Sequence, residues 1–415
     1  MYIEKRNVII AAALVLLVGG FFLFSPKKSI APEDVATTTD SGKDTQIIDP
    51  STSDVVAPPV TAPKTTTATS KPSAPKPAAP SVPQTGKMYK EFVQPTGFSN
   101  TGALGLLNTD AFTLGQFVGK RVILLNFWTT SASNALRAFP YLNAWQIKYK
   151  DKGLLIVSIH TPRFTYEHSK STVDAALYTH NVIHPVVHDN NYGTWNAYGN
   201  SVWPHQYLID INGRVVYDHV GEGGYQAEEL KIQELLAARA QKLGLPQESY
   251  TPYATPKDAV LVDLSRLKSP ETYLGSARNG TLGNGTPYRD GSQDLVYPAT
   301  FLGNAPYLSK SWSFAKEYAR NLVADAGLHY EYDAKIVQAV LNAQQLTRVK
   351  VLRDGVPLTT ENAGKDIRFE KGDSYFYVSG VRIYEIVNDK AGYGAHALEL
   401  LIENSGLEVY TITFG

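Results

Sequence analysis

Two strongly apolar β runs, residues 121–127 and 154–160, stand on either side of an amphipathic stretch at 134–149, and this succession constrains the fold more than any other feature of the chain. A strand that lacks polar alternation is covered on both faces. A helix between two such strands is the crossover that lets them lie parallel, so the segment predicts a βαβ unit. Pro140 interrupts the helical pattern, because proline has no backbone N–H to give. Residues 185–188 supply a short third strand, and runs at 206–211 and 214–219 flank Asn212-Gly213, a pair suited to the left-handed backbone of a tight hairpin. A helix at 226–242 closes this α/β block, which extends over 89–245.

After Pro246 the pattern changes. Residues 349–352, 375–378, 381–387, 397–402 and 407–414 alternate as half-buried strands do, with turns such as Asp354-Gly355 between them. This predicts an all-β sandwich, jelly-roll-like, over 246–415. Its strand alternation is independent of the first block, so residues 250–415 are expected to fold alone.

Ahead of both blocks, residues 8–24 form an apolar run without a charge, preceded by Lys5 and Arg6. At roughly 1.5 Å per residue such a run covers about 26 Å, the short end of what a bilayer core needs. No small-x-small cleavage pattern and no lipobox cysteine follows it, so residues 1–28 read as an uncleaved transmembrane anchor. Lys27 and Lys28 on the far side make the flanking charges nearly symmetric, and orientation has to come from elsewhere. Residues 29–88 are rich in Thr, Ser, Pro, Ala and Lys and bury too little to fold, which predicts a disordered linker acting as a stalk. A stalk of this kind favours a single-pass protein of the cell membrane with its folded domains extracytoplasmic.

The 39 basic and 39 acidic residues balance, leaving no broad positive field for nucleic acid. Cysteine is absent, which excludes disulfides, thiolate metal sites and cysteine nucleophiles. His180, His184 and His188 are spaced like ligands on a helix, but Pro185 breaks any helix there and the side chains would not converge, so no metal is expected. No cofactor is expected either. Asp218 and Glu222, near the hairpin, read as solvated loop charges.

The segment Phe127-Trp128-Thr129-Thr130-Ser131-Ala132-Ser133-Asn134-Ala135-Leu136-Arg137 lies where a buried strand gives way to a helix N-terminus. Unpaired amide N–H groups and the helix dipole favour negative charge at such a place, which is how a thiolate acquires a lowered pKa. The segment resembles the thioredoxin fold, and specifically the thioredoxin-like C-terminal region of DipZ-type proteins, relatives of the TlpA-like envelope oxidoreductases. In that family the strand ends FWTxSCxNC, and the Cys-x-x-Cys pair falls on Ala132 and Ala135. Further landmarks agree: Gly119-Lys120, Pro140 to Trp145, His160-Thr161-Pro162, Thr194 to Asn200, and Trp203-Pro204 before Tyr207-Leu208-Ile209-Asp210. The resemblance implies that Pro204 is a cis-proline facing the redox turn, and that Trp128, Thr130, Ser131, Trp203 and Pro204 line a peptide-binding cleft. It also implies a second domain like a carbohydrate-binding module, on Ser269 to Gly275, Trp312, Val351 to Pro357 and the closing residues from Gly406.

The family implies a thiol–disulfide oxidoreductase or redoxin; the two alanines imply a pseudoenzyme. Exchange needs an attacking thiolate and a resolving thiol, and alanine supplies neither. Ser131 and Ser133 lack an adjacent base and read as turn residues, with Ser131 placed to cap the helix. The expected role is therefore non-catalytic binding of extended polypeptides or envelope glycans, with a structural envelope scaffold as the alternative. Cysteines returned to 132 and 135 are expected to restore exchange, and a cluster of exposed aromatic rings on the β region would favour glycans.

Overall fold

The computed structural model describes residues 86–415, apart from Leu107 and Pro252. The expected anchor and nearly all of the expected linker lie outside the described residues. Among the described residues no helix is long and apolar enough to cross a membrane. Residues 87–89 already belong to the folded part: Val215 N donates to Lys87 O at 2.9 Å and Tyr89 N to Gly213 O at 2.8 Å.

The first block runs β1 (Gly97–Ser99), β2 (Val122–Trp128), α1 (Ser133–Leu136), α2 (Phe139–Tyr149), β3 (Leu154–His160), α3 (Lys170–Thr179), β4 (Val186–His188), α4 (Gly193–Tyr198), β5 (His205–Ile209), β6 (Val215–Val220) and α5 (Tyr225–Leu243). Its strands make one sheet in the order β1-β4-β3-β2-β5-β6. β2 and β3 are parallel, with Val122 opposite Leu154 and Trp128 opposite His160, as the crossover requires. Alternate residues of β2 serve two cores. Val122, Leu124 and Trp128 pack with Phe139, Leu142, Leu177 and Leu235. Ile123, Leu125 and Phe127 pack with Phe98, Phe112, Trp195 and Tyr207 on the other face. Cover on both sides explains why the strand reads as continuously apolar. The stretch 134–149 divides into α1 and α2, and Pro140 sits in the first turn of α2, where its missing N–H forfeits no hydrogen bond.

The second block is a large antiparallel region. Its strands are β7 (Thr272–Tyr273), β8 (Gly291–Leu295), β9 (Pro306–Phe314), β10 (Ala319–Asn321), β11 (Ala326–Ala334), β12 (Ile336–Ala343), β13 (Thr347–Arg353), β14 (Val356–Pro357), β15 (Arg368–Glu370), β16 (Asp373–Val378), β17 (Arg382–Asn388), β18 (Gly394–Ile402) and β19 (Leu407–Phe414). They follow the order β15-β16-β13-β18-β11-β9-β10-β19-β12-β17, with β7 on β19, β8 on β9 and β14 on β13. β9 links the two halves: Leu308 pairs with Leu328 of β11, while Phe314 pairs with Ala319 of β10. Alternate residues of both halves meet in one core, among them Trp312, Leu328, Tyr330, Val349, Phe376, Leu400 and Val409.

The two blocks meet along β19. A half-buried strand should leave one face to water, yet all eight residues of β19 are buried. Its inward side chains Leu407, Val409, Ile412 and Phe414 fill the second core. Its outward side chains meet the first block: the ring of Tyr410 packs edge-on against Phe164 at 5.2 Å. Past residue 245, Tyr250, Tyr253 and Ala259 pack against the first core. The second core takes over only at Leu267.

Candidate functional site

The strand-to-helix turn after β2 is where the sequence places the chemistry. α1 begins after Ala132, which makes no side-chain capping bond. Ser131, expected as the cap, is engaged elsewhere: its hydroxyl accepts from Arg163 Nε at 2.9 Å and its carbonyl accepts from Arg163 Nη2. Asn134 does the local work. Its Oδ1 accepts from Ala135 N at 2.9 Å, and its Nδ2 donates to Trp203 O at 3.0 Å. The turn is thus tied to the Trp203-Pro204 peptide, which is cis.

Trp128, Thr130, Ser131, Trp203 and Pro204 come together here, with Thr130 facing a cavity. Trp128, Thr130, Ser131 and Pro204 are buried and Trp203 is half-buried. Ala132 is 4% exposed and Ala135 is 0% exposed. The Trp203 carbonyl beside Pro204, the backbone group an extended peptide would pair with, is taken by Asn134.

Beneath the turn lies a carboxylate that sequence reading passed over. Glu167, fully buried, accepts from Thr129 Oγ1 at 2.6 Å, Thr130 Oγ1 at 2.8 Å, Phe164 N at 3.1 Å and Arg163 N. Burial works to raise its pKa, but His160 and Arg163 with the Thr129 and Ser131 hydroxyls bring it below the ordinary value. His160 is itself pushed to about 4 by burial, so near neutral pH the Arg163 charge is the one that counts. Burial opposes the Arg163 charge too, yet Glu271, Tyr273 and Glu167 outweigh it and hold the guanidinium above its ordinary pKa.

Arg163 also joins the turn to the second block. Nη1 donates to both Glu271 oxygens at 2.8 Å and to Tyr273 OH at 3.0 Å. Next to it, Thr165 donates from N at 3.0 Å and from Oγ1 at 2.8 Å to Glu317. Ser133 Oγ on α1 lies 3.0 Å from Thr413 Oγ1 on β19. The second block therefore stands directly over the turn. Two cavities flank that contact. One, of about 510 Å³, lies between α3, α1 and strands β12 and β17, with Thr130, Ser133, Thr172, Gln338 and Glu385 in its walls. The other, of about 260 Å³, is bounded by Ser133, Arg137, Glu222, Pro270 and Thr413. Glu222 is no solvated loop charge: it takes a bidentate pair from Arg137 at 2.7 Å, with both side chains under a tenth exposed. Asp218 meets His205 Nε2 at 3.1 Å.

The histidines do not converge. His184 Nε2 meets Ser158 Oγ at 2.8 Å and His188 Nε2 meets Ser99 Oγ at 2.9 Å. Among the described residues no group of three His, Asp or Glu side chains could hold a metal ion. Nor do the exposed aromatic rings of the second block form one platform. Phe369 stands opposite Ser374, so it lies on the other face of the β15–β16 pair from Tyr377, while Tyr288 precedes β8.

Residues 89–235 match the Redoxin family, and residues 269–415 match the family described as the thioredoxin like C-terminal domain. Protein DipZ of Mycobacterium tuberculosis (strain CDC 1551 / Oshkosh) is 32% identical over 319 residues, 76% of this chain. The chain belongs to the thioredoxin-like superfamily. The match to DipZ spans 42% of that relative's length. Thiol-disulfide oxidoreductase YkuV of Bacillus subtilis is 26% identical over 137 residues, 33% of this chain and 91% of the relative. Among solved structures, the thioredoxin domain of a thiol-disulfide oxidoreductase from Bacteroides vulgatus is 23% identical, covering 35% of this chain and 95% of that one at a TM-score of 0.29. Within this thioredoxin-like chain there is no cysteine. The turn that would carry the redox pair has no thiolate to attack a disulfide and no thiol to resolve one.

Proposed function

We propose that the chain is a redox-inert thioredoxin-like binding protein, tethered to the cell membrane by residues 8–24 and held away from it by the stretch at 29–85, with both folded domains extracytoplasmic. Its second domain is read as a jelly-roll-like sandwich of the carbohydrate-binding-module type; the meeting of both strand groups in one core supports that reading. Its partners are extended polypeptides or envelope glycans. One observation carries the proposal: alanine occupies both redox positions, and the second domain packs over the turn while leaving one cavity of ligand size, about 510 Å³, beside Ser133. Ligand pockets commonly run from about 300 to 1,000 Å³.

The test pairs two assays on the full chain in detergent micelles. Insulin reduction should be absent, and equilibrium binding should be found for an unfolded polypeptide or for soluble peptidoglycan fragments. Turnover of insulin, or failure to bind either class, sinks the proposal.

A further inference from the structure

We infer that Glu228, Gln206, Asn126, Ser158 and His184 form a buried hydrogen-bond chain that reverses direction when Glu228 loses its proton, so that a pH change sensed on α5 is read out as a change of tautomer at His184, beside β4.

The members lie in a row across the first sheet. Asn126 on β2 stands opposite Ser158 on β3 and opposite Gln206 on β5, and Ser158 stands opposite Val186, two residues beyond His184. Each is at most 1% exposed, so water does not complete their hydrogen bonds and the row has to satisfy itself. Gln206 Nε2 donates to Asn126 Oδ1 at 3.3 Å, and Asn126 Nδ2 donates to Ser158 Oγ at 3.1 Å. Ser158 Oγ lies 2.8 Å from His184 Nε2. At the other end Gln206 turns its oxygen to Glu228, 3.1 and 2.6 Å from the two carboxyl oxygens.

Two oxygens 2.6 Å apart need a proton between them. A protonated Glu228 supplies it, and the donors then all point one way: Glu228 to Gln206, Gln206 to Asn126, Asn126 to Ser158, and Ser158 to Nε2 of His184, whose own proton sits on Nδ1. A carboxylate only accepts, so the ionised state demands the opposite order. Gln206 presents its amide nitrogen to Glu228 and its oxygen to Asn126. The Asn126 amide turns in the same sense, its oxygen accepts from Ser158, and the Ser158 hydroxyl accepts from Nε2–H of His184. One proton leaves Glu228 for solvent, and the single ring proton of His184 passes from Nδ1 to Nε2. The hydroxyl and the two primary amides serve both directions because each group both donates and accepts.

Burial keeps both ends neutral across a wide range, holding the Glu228 carboxyl up at about 8 and the His184 imidazole down at about 3. Two titratable groups face the Glu228 end from β6. Tyr217 is pushed up by burial and then by Glu228 and Asp218, and His219 stands opposite Gln206. At the other end His184 leans on Phe139 of α2 beside His180, which burial and Lys365 push down to about 4. A row that served only to fix strand register would need no titrating end.

The experiment follows the ring nitrogens of His184 by solid-state NMR of the full chain in lipid bilayers, with nitrogen-labelled histidine and the His184 signal assigned by its loss in His184→Gln. Spectra are taken from about pH 6 to about pH 10, on either side of the Glu228 value. The Nδ1–H form is expected at the acid end and the Nε2–H form at the alkaline end, with a midpoint near pH 8. Neither Glu228→Gln, which removes the titrating group, nor Gln206→Leu, which cuts the row, should show the change. Far-ultraviolet circular dichroism checks the fold at each pH, and the wild-type profile decides alone where a variant fails to fold. One tautomer throughout in the folded wild type overturns the inference, and so does a change that survives in Glu228→Gln.

Discussion

Arg163 Nη1 donates to both carboxylate oxygens of Glu271 at 2.8 Å, bonding the loop after β3 to the segment that leads into the second domain. The arginine side chain is 4% exposed and the glutamate 33%. Its other nitrogens are spent on Ser131, so one guanidinium fixes the redox turn and the domain above it at once. A planar fork with five donors suits that role, and lysine could not reproduce it.

Removing one partner of a largely buried pair leaves the other uncompensated. Arg163→Ala is therefore expected to cost about 2–4 kcal/mol, and Glu271→Gln, at the more exposed end, about 1 kcal/mol. Urea unfolding followed by tryptophan fluorescence and far-ultraviolet circular dichroism checks this. The wild type should unfold in one transition and Arg163→Ala in two, as the domains uncouple. A single transition at the wild-type midpoint would refute the joint.

Glu228 gives the fold a pH dependence. Burial raises its pKa from 4.5 to about 8. The folded chain keeps the proton over a range in which the unfolded chain has lost it. Stability from this group is thus fully present below about pH 4.5 and fades as the pH rises toward 8. The urea midpoint of the wild type should fall between pH 5 and 8 relative to that of Glu228→Gln. Parallel profiles for the two proteins would exclude the effect.

Much of the first domain was legible in the sequence because its signals are local. Residues 154–160 were read as the strand that forms there, and Asn212-Gly213 marked its hairpin, where Gly213 has a φ of 79° that a side chain disfavours. Helix α3 escaped notice because Val173 and Leu177 are its buried residues and no long apolar stripe repeats. The cover over the turn was invisible for a different reason. Arg163, Glu271 and Thr413 are far apart in the chain and carry no shared spacing, so only the docking of β19 onto α1 brings them together. For the same reason the complete burial of Trp128 and Ser131 was not legible in the sequence.

The tether has its own test. Protease added outside intact cells is expected to release a soluble fragment that begins between residues 29 and 86, detected by N-terminal sequencing of the supernatant. Complete protection of the chain would rule out both the stalk and the outward orientation.

The claim that the redox turn is sealed as well as inert meets its most direct test in thiol labelling. Ala132→Cys puts a single thiol into a chain that otherwise has none, at a position 4% exposed. The measurement is its rate of modification by a maleimide in the folded full chain, against that of Tyr178→Cys, whose position is 88% exposed. Modification through rare domain opening should be roughly a hundredfold slower at 132, a protection of about 3 kcal/mol, and Arg163→Ala in the same chain should remove most of it. Equal rates at 132 and 178 in the intact chain would contradict the account, and would return the turn to the open cleft that the sequence alone suggests.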